Sequence, residues 1–136
     1  MVNLEERVVK ELTQKGYTFG EKETYETLGV YKLKKRFSLV IVDTLLTKDN
    51  IKLILEAIEK YHGYANKGAT YIVVGPTEES FEDKDLLYFN SINVVVTFVL
   101  LNKNNKEVKY YPKNVLGFGI NPKKIVKDIV GVLEKY

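Results

Sequence analysis

The sequence has 136 residues, one histidine, no cysteine and a formal net charge of +3. This length suits one domain with a sizeable core, so we expect residues 1–136 to form a single unit. The missing cysteines exclude disulfides, thiolate catalysis and cysteine-ligated zinc, and a single histidine excludes an all-histidine metal site within one chain. We therefore expect no cofactor. No apolar run approaches the roughly 18 residues of a membrane span, and the first residues lack a signal-peptide pattern. Both observations favour a cytoplasmic protein.

The first third of the chain predicts one helix and three strands. Asn3 followed three residues later by Glu6 is typical of a helix N-terminus. Gly16 is a good C-terminal stop, so we expect a helix over about residues 4–15. The three predicted strands cover residues 17–27, 28–33 and 37–43.

The stretch from Phe37 to Gly75 predicts a strand, a helix and a second strand. Its first part, Phe37–Asp43, is nearly all apolar, which is typical of a strand that is buried on both faces. Thr47 offers an N-cap hydroxyl, and apolar residues then recur at steps of three and four. We expect a helix over about 48–62 and a strand at 69–74, joined as a crossover between parallel strands.

After residue 74 the sequence predicts a turn at Gly75–Thr77. We expect Thr77 to cap a short acidic helix whose buried side is Leu86–Phe89. The element order α-β-β-β-α-β-α-β-β-α predicts an α/β fold (mixed α+β), with one mixed sheet and helices packed on its faces. The remaining predicted elements are a strand at 92–101, a hairpin loop at 102–106, a strand at 107–111 and a last helix that starts at Asn121–Pro122.

The hairpin from Asn102 to Lys113 lies in the basic part of the chain, since Leu101 to the end holds eight lysines and three acids. Lysines that meet phosphates and aromatic rings that stack on bases are the usual means of holding single-stranded nucleic acid. Tyrosine and lysine on an edge strand also have ordinary structural uses. The candidate nucleic-acid-binding residues are Lys103, Lys106, Lys109, Tyr110, Tyr111 and Lys113.

A second candidate site, for anions, precedes the last helix. Gly117–Lys124 contains two glycines, and Lys123 and Lys124 lie in the first helical turn. Free backbone N–H groups there favour a carboxylate or phosphate, although a plain solvated helix start gives the same pattern. The loop at 75–80 lacks the glycines and the lysine of a phosphate loop. His62 has no acidic or nucleophilic partner close in sequence, which favours a cap or surface role.

The first six predicted elements follow the order of the restriction-endonuclease-like core. Metal-dependent cleavage in that family needs an acid at one strand end and Glu-x-Lys on the next strand. Here Asp43 ends the third strand, where Glu-x-Lys should stand, and the sequence Glu107-Val-Lys109 comes far later in the chain. The resemblance therefore implies a catalytically degenerate relative rather than a nuclease.

The chain also resembles, over most of its length, the soluble N-terminal domain of rhomboid-type intramembrane proteases from low-GC bacteria. The shared pattern is an N-terminal helix, an apolar strand that leads to a long helix, a late strand pair and a closing helix. The catalytic serine and histidine of those enzymes lie in membrane helices, so no catalytic residue carries over. The resemblance implies an accessory domain of a larger membrane protein. The matching stretches are Phe37–Asp43, Ala69–Gly75, Val94–Leu101 and Ile125–Leu133.

Three functions are consistent with the sequence. The leading hypothesis is a non-enzymatic interaction or accessory domain with a protein partner, because the core is well specified and no catalytic set is present. The second is a nucleic-acid-binding domain that uses the 102–113 hairpin. The third is a metal-dependent phosphodiesterase assembled from Asp43, Glu107 and Lys109, which the order of these residues disfavours. We expect those three side chains to be scattered in the fold.

Overall fold

The computed structural model describes residues 3–25, 28–33, 37–65, 70–82, 95–111 and 123–136, with only the backbone of residues 62–65 and 95. The helices and strands follow the predicted order wherever the two can be compared. The elements are α1 (Leu4–Gln14), β1 (Phe19–Tyr25), β2 (Leu28–Leu33), β3 (Phe37–Ile41), α2 (Lys48–Ala65), β4 (Thr70–Thr77), β5 (Val95–Asn102), β6 (Val108–Tyr111) and α3 (Lys123–Glu134).

The six strands form one mixed sheet in the order β1-β2-β3-β4-β5-β6. Strands β1, β2 and β3 are antiparallel neighbours, β3, β4 and β5 run parallel, and β6 returns antiparallel to β5. The predicted mixed sheet is confirmed, and so is the parallel pairing of the two strands that flank α2. A parallel pair needs a long crossover, and α2 supplies it.

The three parallel strands at the centre of the sheet, β3, β4 and β5, are buried on both faces. Successive residues of a strand point to opposite faces, so Leu39 of β3 packs in the layer of α1 and α3, whereas Val40 packs in the layer of α2. Ile58 of α2 and Ile129 of α3 are both fully buried against their own face of the sheet. This double burial explains why β3 reads as a continuous apolar run rather than an alternating one.

Side-chain caps fix the start of two helices, as the sequence predicted. The Asn3 Oδ1 atom accepts a hydrogen bond from the Glu6 backbone N–H at 2.8 Å. At the start of α2, the Thr47 hydroxyl accepts from the Asn50 N–H at 3.2 Å, and Asn50 Oδ1 accepts from the Thr47 N–H at 2.6 Å. This reciprocal pair satisfies two of the backbone donors that a helix start leaves open.

The predicted turn at Gly75–Thr77 is wrong, because β4 continues through these residues and pairs with β5 as far as Asn102. A proline can stand at residue 76 within β4 because the neighbouring strand β3 ends beside it. In the parallel register, the carbonyl of Val42 would accept from the backbone of residue 76, and proline has no N–H to donate.

Thr77 does not cap a helix at the residues that follow it. Residues 78–82 are not helical, and Leu86–Phe89 lies outside the described residues. The Thr77 hydroxyl instead donates to the Leu46 carbonyl at 2.6 Å and accepts from the Glu79 N–H at 3.1 Å. Thr77 therefore ties the end of β4 to the segment that leads into α2.

Candidate functional site

Strands β2 and β3 separate near one end of the sheet. Their paired residues are Tyr31 with Leu39 and Lys32 with Ser38. The antiparallel register would next bring Val30 opposite Val40 and then Gly29 opposite Ile41, but neither pair forms. The two strands therefore diverge toward the start of β2 and the end of β3, and a gap opens between them.

The gap continues under α2 as a groove of about 350 Å³, which we call the β2–β3 groove. This volume falls within the range of roughly 300–1,000 Å³ that is typical of ligand pockets. Its walls are largely apolar, with Leu28 and Val40 from the strands and Ile54 and Ala57 from the helix. Such walls favour an apolar group that leaves water, so the groove is suited to binding rather than to polar chemistry.

The segment that leads from β3 to α2 forms one rim of the groove and is held in place by hydrogen bonds. Asn50 Nδ2 donates to the Leu45 carbonyl at 2.7 Å, and the Leu46 N–H donates to the Pro76 carbonyl at 2.8 Å. The Leu46 side chain is fully buried. Because these contacts fix the rim before anything binds, a ligand would lose little free energy in ordering it.

Leu53 lies in the wall of the groove and is 66% exposed, although it sits in the middle of α2. Its neighbour Leu55 is only 2% exposed and belongs to the core. Leu45, on the rim segment, is 38% exposed. Single exposed apolar residues are common on protein surfaces, but exposed leucines beside an apolar groove mark a candidate interaction site.

Asp43 stands at the polar end of the groove, directly after the apolar wall of β3. Its carboxylate is exposed, and it makes no hydrogen bond or ion pair within the part of the chain that the structure describes. The nearby Lys22 ammonium instead donates to Glu5 at 2.6 Å. This hydrogen bond is the main reason that the pKa of Lys22 is raised, with a smaller contribution from the charge of Asp43.

Gly29 allows Lys22 to reach Glu5. A Cβ atom on Gly29 would lie 2.5 Å from Lys22 Cε, so the lysine side chain crosses β2 at a residue that has no side chain of its own. The Lys22 ammonium also lies 5.6 Å from the centre of the Tyr31 ring. Lys22 thus joins β1 to α1, and Asp43 is left without a contacting cation among the described residues.

The hairpin places most of the predicted nucleic-acid-binding residues on the surface. Lys103, Lys106 and Lys109 are exposed, and Tyr110 is 43% exposed on the edge strand β6. Tyr111 is 5% exposed and packs in the core, so Tyr110 is the member of the tyrosine pair that can meet a ligand. Lys113 lies outside the described residues.

An acidic residue pairs with one of the hairpin lysines, and the segment that follows β4 contacts the hairpin turn. Asn104 Nδ2 donates to the Glu78 carbonyl at 3.3 Å, so the segment that follows β4 lies against the turn. Within the hairpin, Glu107 forms an ion pair with Lys109 at 3.4 Å. The Glu107 carboxylate thus offsets part of the positive charge of the hairpin lysines, which weakens the attraction of this surface for phosphate.

The other predicted sites fall partly or wholly outside the described residues. Lys123 and Lys124 are exposed at the start of α3, whereas the loop 117–122 that would complete the anion site is not described. The side chain of His62 is not described either. The anion site therefore stays a prediction.

The structure does not bring Asp43, Glu107 and Lys109 together. Strands β4 and β5 lie between β3 and β6, which separates Asp43 from the other two by about 14 Å at the usual strand spacing. The expected scatter is confirmed. Among the described residues, no group of three or more histidine, aspartate or glutamate side chains is placed to hold a metal ion.

The β2–β3 groove could hardly be predicted from the sequence, although one signal was present. Leu53 falls outside the apolar stripe of α2, so a leucine on the solvent side of a helix already marked this surface. The gap itself depends on where the ladder between β2 and β3 ends, and that is a tertiary feature.

Comparison with known proteins does not identify a function for this groove. No protein-family model matches the sequence, and neither a curated protein nor a solved structure gives a significant match. Of the helices that the structure describes, none has the length and apolar character needed to cross a bilayer. The function must therefore be inferred from the groove and the surfaces around it.

Proposed function

We propose that this chain is a non-enzymatic interaction domain that binds a protein partner through the β2–β3 groove. The observation that carries the proposal is the exposed Leu53 side chain in the wall of an apolar groove of about 350 Å³. A partner that covered Leu53 and placed an apolar side chain against the partly exposed Val42 and Ile54 would bury both surfaces at once. Central apolar contacts of this kind supply most of the affinity of protein interfaces.

The exposure of Leu53 sets the size of the expected effect. Burying a whole leucine side chain gains about 1.5–3 kcal/mol, and 66% of this one remains to be buried. Covering it would therefore contribute roughly 1–2 kcal/mol, which is on the order of a tenfold change in affinity. That effect is large enough to measure with a single substitution.

A selection from a displayed random-peptide library against the purified domain tests the proposal. We expect selected peptides to bind the wild type and to lose about tenfold in affinity with Leu53→Glu. Lys52→Ala is the matched control, because it changes the net charge by the same amount at the neighbouring exposed position. We expect the control to bind like the wild type.

Two results would contradict the proposal. Peptides that bind Leu53→Glu as tightly as the wild type would place the interaction surface elsewhere. Turnover of a substrate that a single point mutation abolishes would show that the chain is an enzyme.

The proposal extends to an accessory role within a larger membrane protein, as the resemblance to the rhomboid-type N-terminal domain implies. What supports this extension is the shared order of elements, from α1 through the β3–α2–β4 unit to the β5–β6 pair and α3. An antibody raised against the domain tests it on extracts of the cells that produce the protein. A membrane-bound band well above 15.7 kDa is expected, and a 15.7 kDa band restricted to the soluble fraction would contradict it.

A further inference from the structure

We infer that the β2–β3 groove selects an apolar side chain accompanied by a cationic group, so that the protein partner offers a lysine or arginine to Asp43. This inference rests on the proposed function and specifies the chemistry of the partner. It depends on which charged and polar groups the groove presents and on which of them are already engaged.

Asp43 is the charged side chain among the described residues that line the groove. Lys22, on which the charge of Asp43 acts, is hydrogen-bonded to Glu5 at 2.6 Å and forms no ion pair with Asp43. Lys22 is therefore engaged by Glu5, and the Asp43 carboxylate keeps its negative charge at this end of the groove without a contacting cation among the described residues. Such a charge attracts a cation and repels a carboxylate.

The polar side chain opposite Asp43 is not available for recognition. Asn50 Oδ1 accepts from the Thr47 N–H, and Asn50 Nδ2 donates to the Leu45 carbonyl. Both ends of that amide are engaged in holding the start of α2. Recognition of a polar group at this end thus falls to Asp43 and its neighbour Thr44, and neither provides a positive charge.

Adjacent residues supply the end of the apolar wall and the carboxylate, and both residues line the groove. Val42 and Asp43 are adjacent residues, and their Cα atoms are about 3.8 Å apart. A group whose apolar part lies against Val42 therefore places its next polar atoms near the carboxylate. An apolar residue beside a lysine or arginine meets this requirement, because the long stem of the basic residue can follow the rim.

Three six-carbon probes test the inference: hexylamine, hexan-1-ol and hexanoate. Each is titrated into the full chain with labelled methyl groups, and the shifts of Leu28, Val40 and Ile54 are followed by NMR at low salt. We expect hexylamine to bind about two- to fivefold more tightly than hexan-1-ol, as one exposed ion pair would give, and hexanoate to bind most weakly. The preference should decline as salt is added.

Asp43→Asn should remove the preference for the amine. Asp49→Asn is the matched control, since Asp49 is an exposed acid in the first turn of α2 that does not line the groove. It should keep the preference.

Equal affinities for the three probes in the wild type would overturn the charge inference and leave the groove as a purely apolar docking site. Shifts confined to residues outside the groove would also overturn the inference, whereas the peptide selection decides separately whether the domain binds a protein partner.

Discussion

Substitution of Gly75 by alanine tests how closely β4 approaches the segment that leads into α2. A Cβ atom at residue 75 would lie 2.7 Å from Leu46 Cδ1 and 3.2 Å from the Val42 carbonyl oxygen. The Leu46 side chain is fully buried and the Val42 oxygen belongs to the backbone, so neither can move away freely. Overpacking of this kind costs about 1–3 kcal/mol. Urea denaturation should therefore show a midpoint lowered by about 1 M with an unchanged slope.

Gly131→Ala is the matched control for this prediction. Gly131 lies within α3, and among the described residues no atom beyond its chain neighbours and the backbone of its own helix lies within 4 Å of the position that its Cβ would take. The same change there should stabilise the protein by roughly 0.5–1 kcal/mol, because alanine has the higher helix propensity. If Gly75→Ala unfolds at the same urea concentration as the wild type, the close approach of Leu46 to β4 is not present in solution.

Four further outcomes are expected. Leu53→Lys should change the free energy of unfolding by no more than about 0.5 kcal/mol, whereas Leu55→Ala should cost about 2–5 kcal/mol, both measured in urea. Thr47→Ala should cost about 1 kcal/mol in the same assay, because α2 loses its cap. Burial raises the pKa of Tyr71 to about 12. The Tyr71 hydroxyl loses its proton near pH 10 in the unfolded chain but only near pH 12 in the folded one, so the free energy of unfolding should fall as the pH rises from about 10 to 12. Tyr71→Phe should reduce that fall. A labelled single-stranded oligonucleotide should bind the 102–111 hairpin weakly, and tight binding that declines steeply with salt would revive the nucleic-acid hypothesis.

The parts of the fold that depend on local chemistry were predictable from the sequence. Asn3 and Thr47 cap the helices that the sequence predicts, because a short polar side chain before an apolar stripe can accept a hydrogen bond from a backbone N–H in the first helical turn. β3 reads as a doubly buried strand because its residues pack against helices on both faces. These features are set by neighbours in sequence or by burial alone.

Features that depend on distant partners were not predictable. Gly75 and Pro76 favour a turn locally, yet β4 continues through both because β5 pairs alongside and β3 has ended. The β2–β3 groove likewise depends on the end of the pairing between β2 and β3, beyond Tyr31 and Leu39. The segment that follows β4 also contacts the hairpin turn only in the folded chain, through the hydrogen bond from Asn104 to the Glu78 carbonyl.

The central claim is that a protein partner binds in the β2–β3 groove, and intermolecular NOEs with a selected peptide test it most directly. The account predicts NOEs from an apolar peptide side chain to the methyl groups of Leu28, Val40 and Ile54, which line the groove. NOEs found only to the 102–111 hairpin would contradict it, because they would place the binding surface at the opposite side of the sheet.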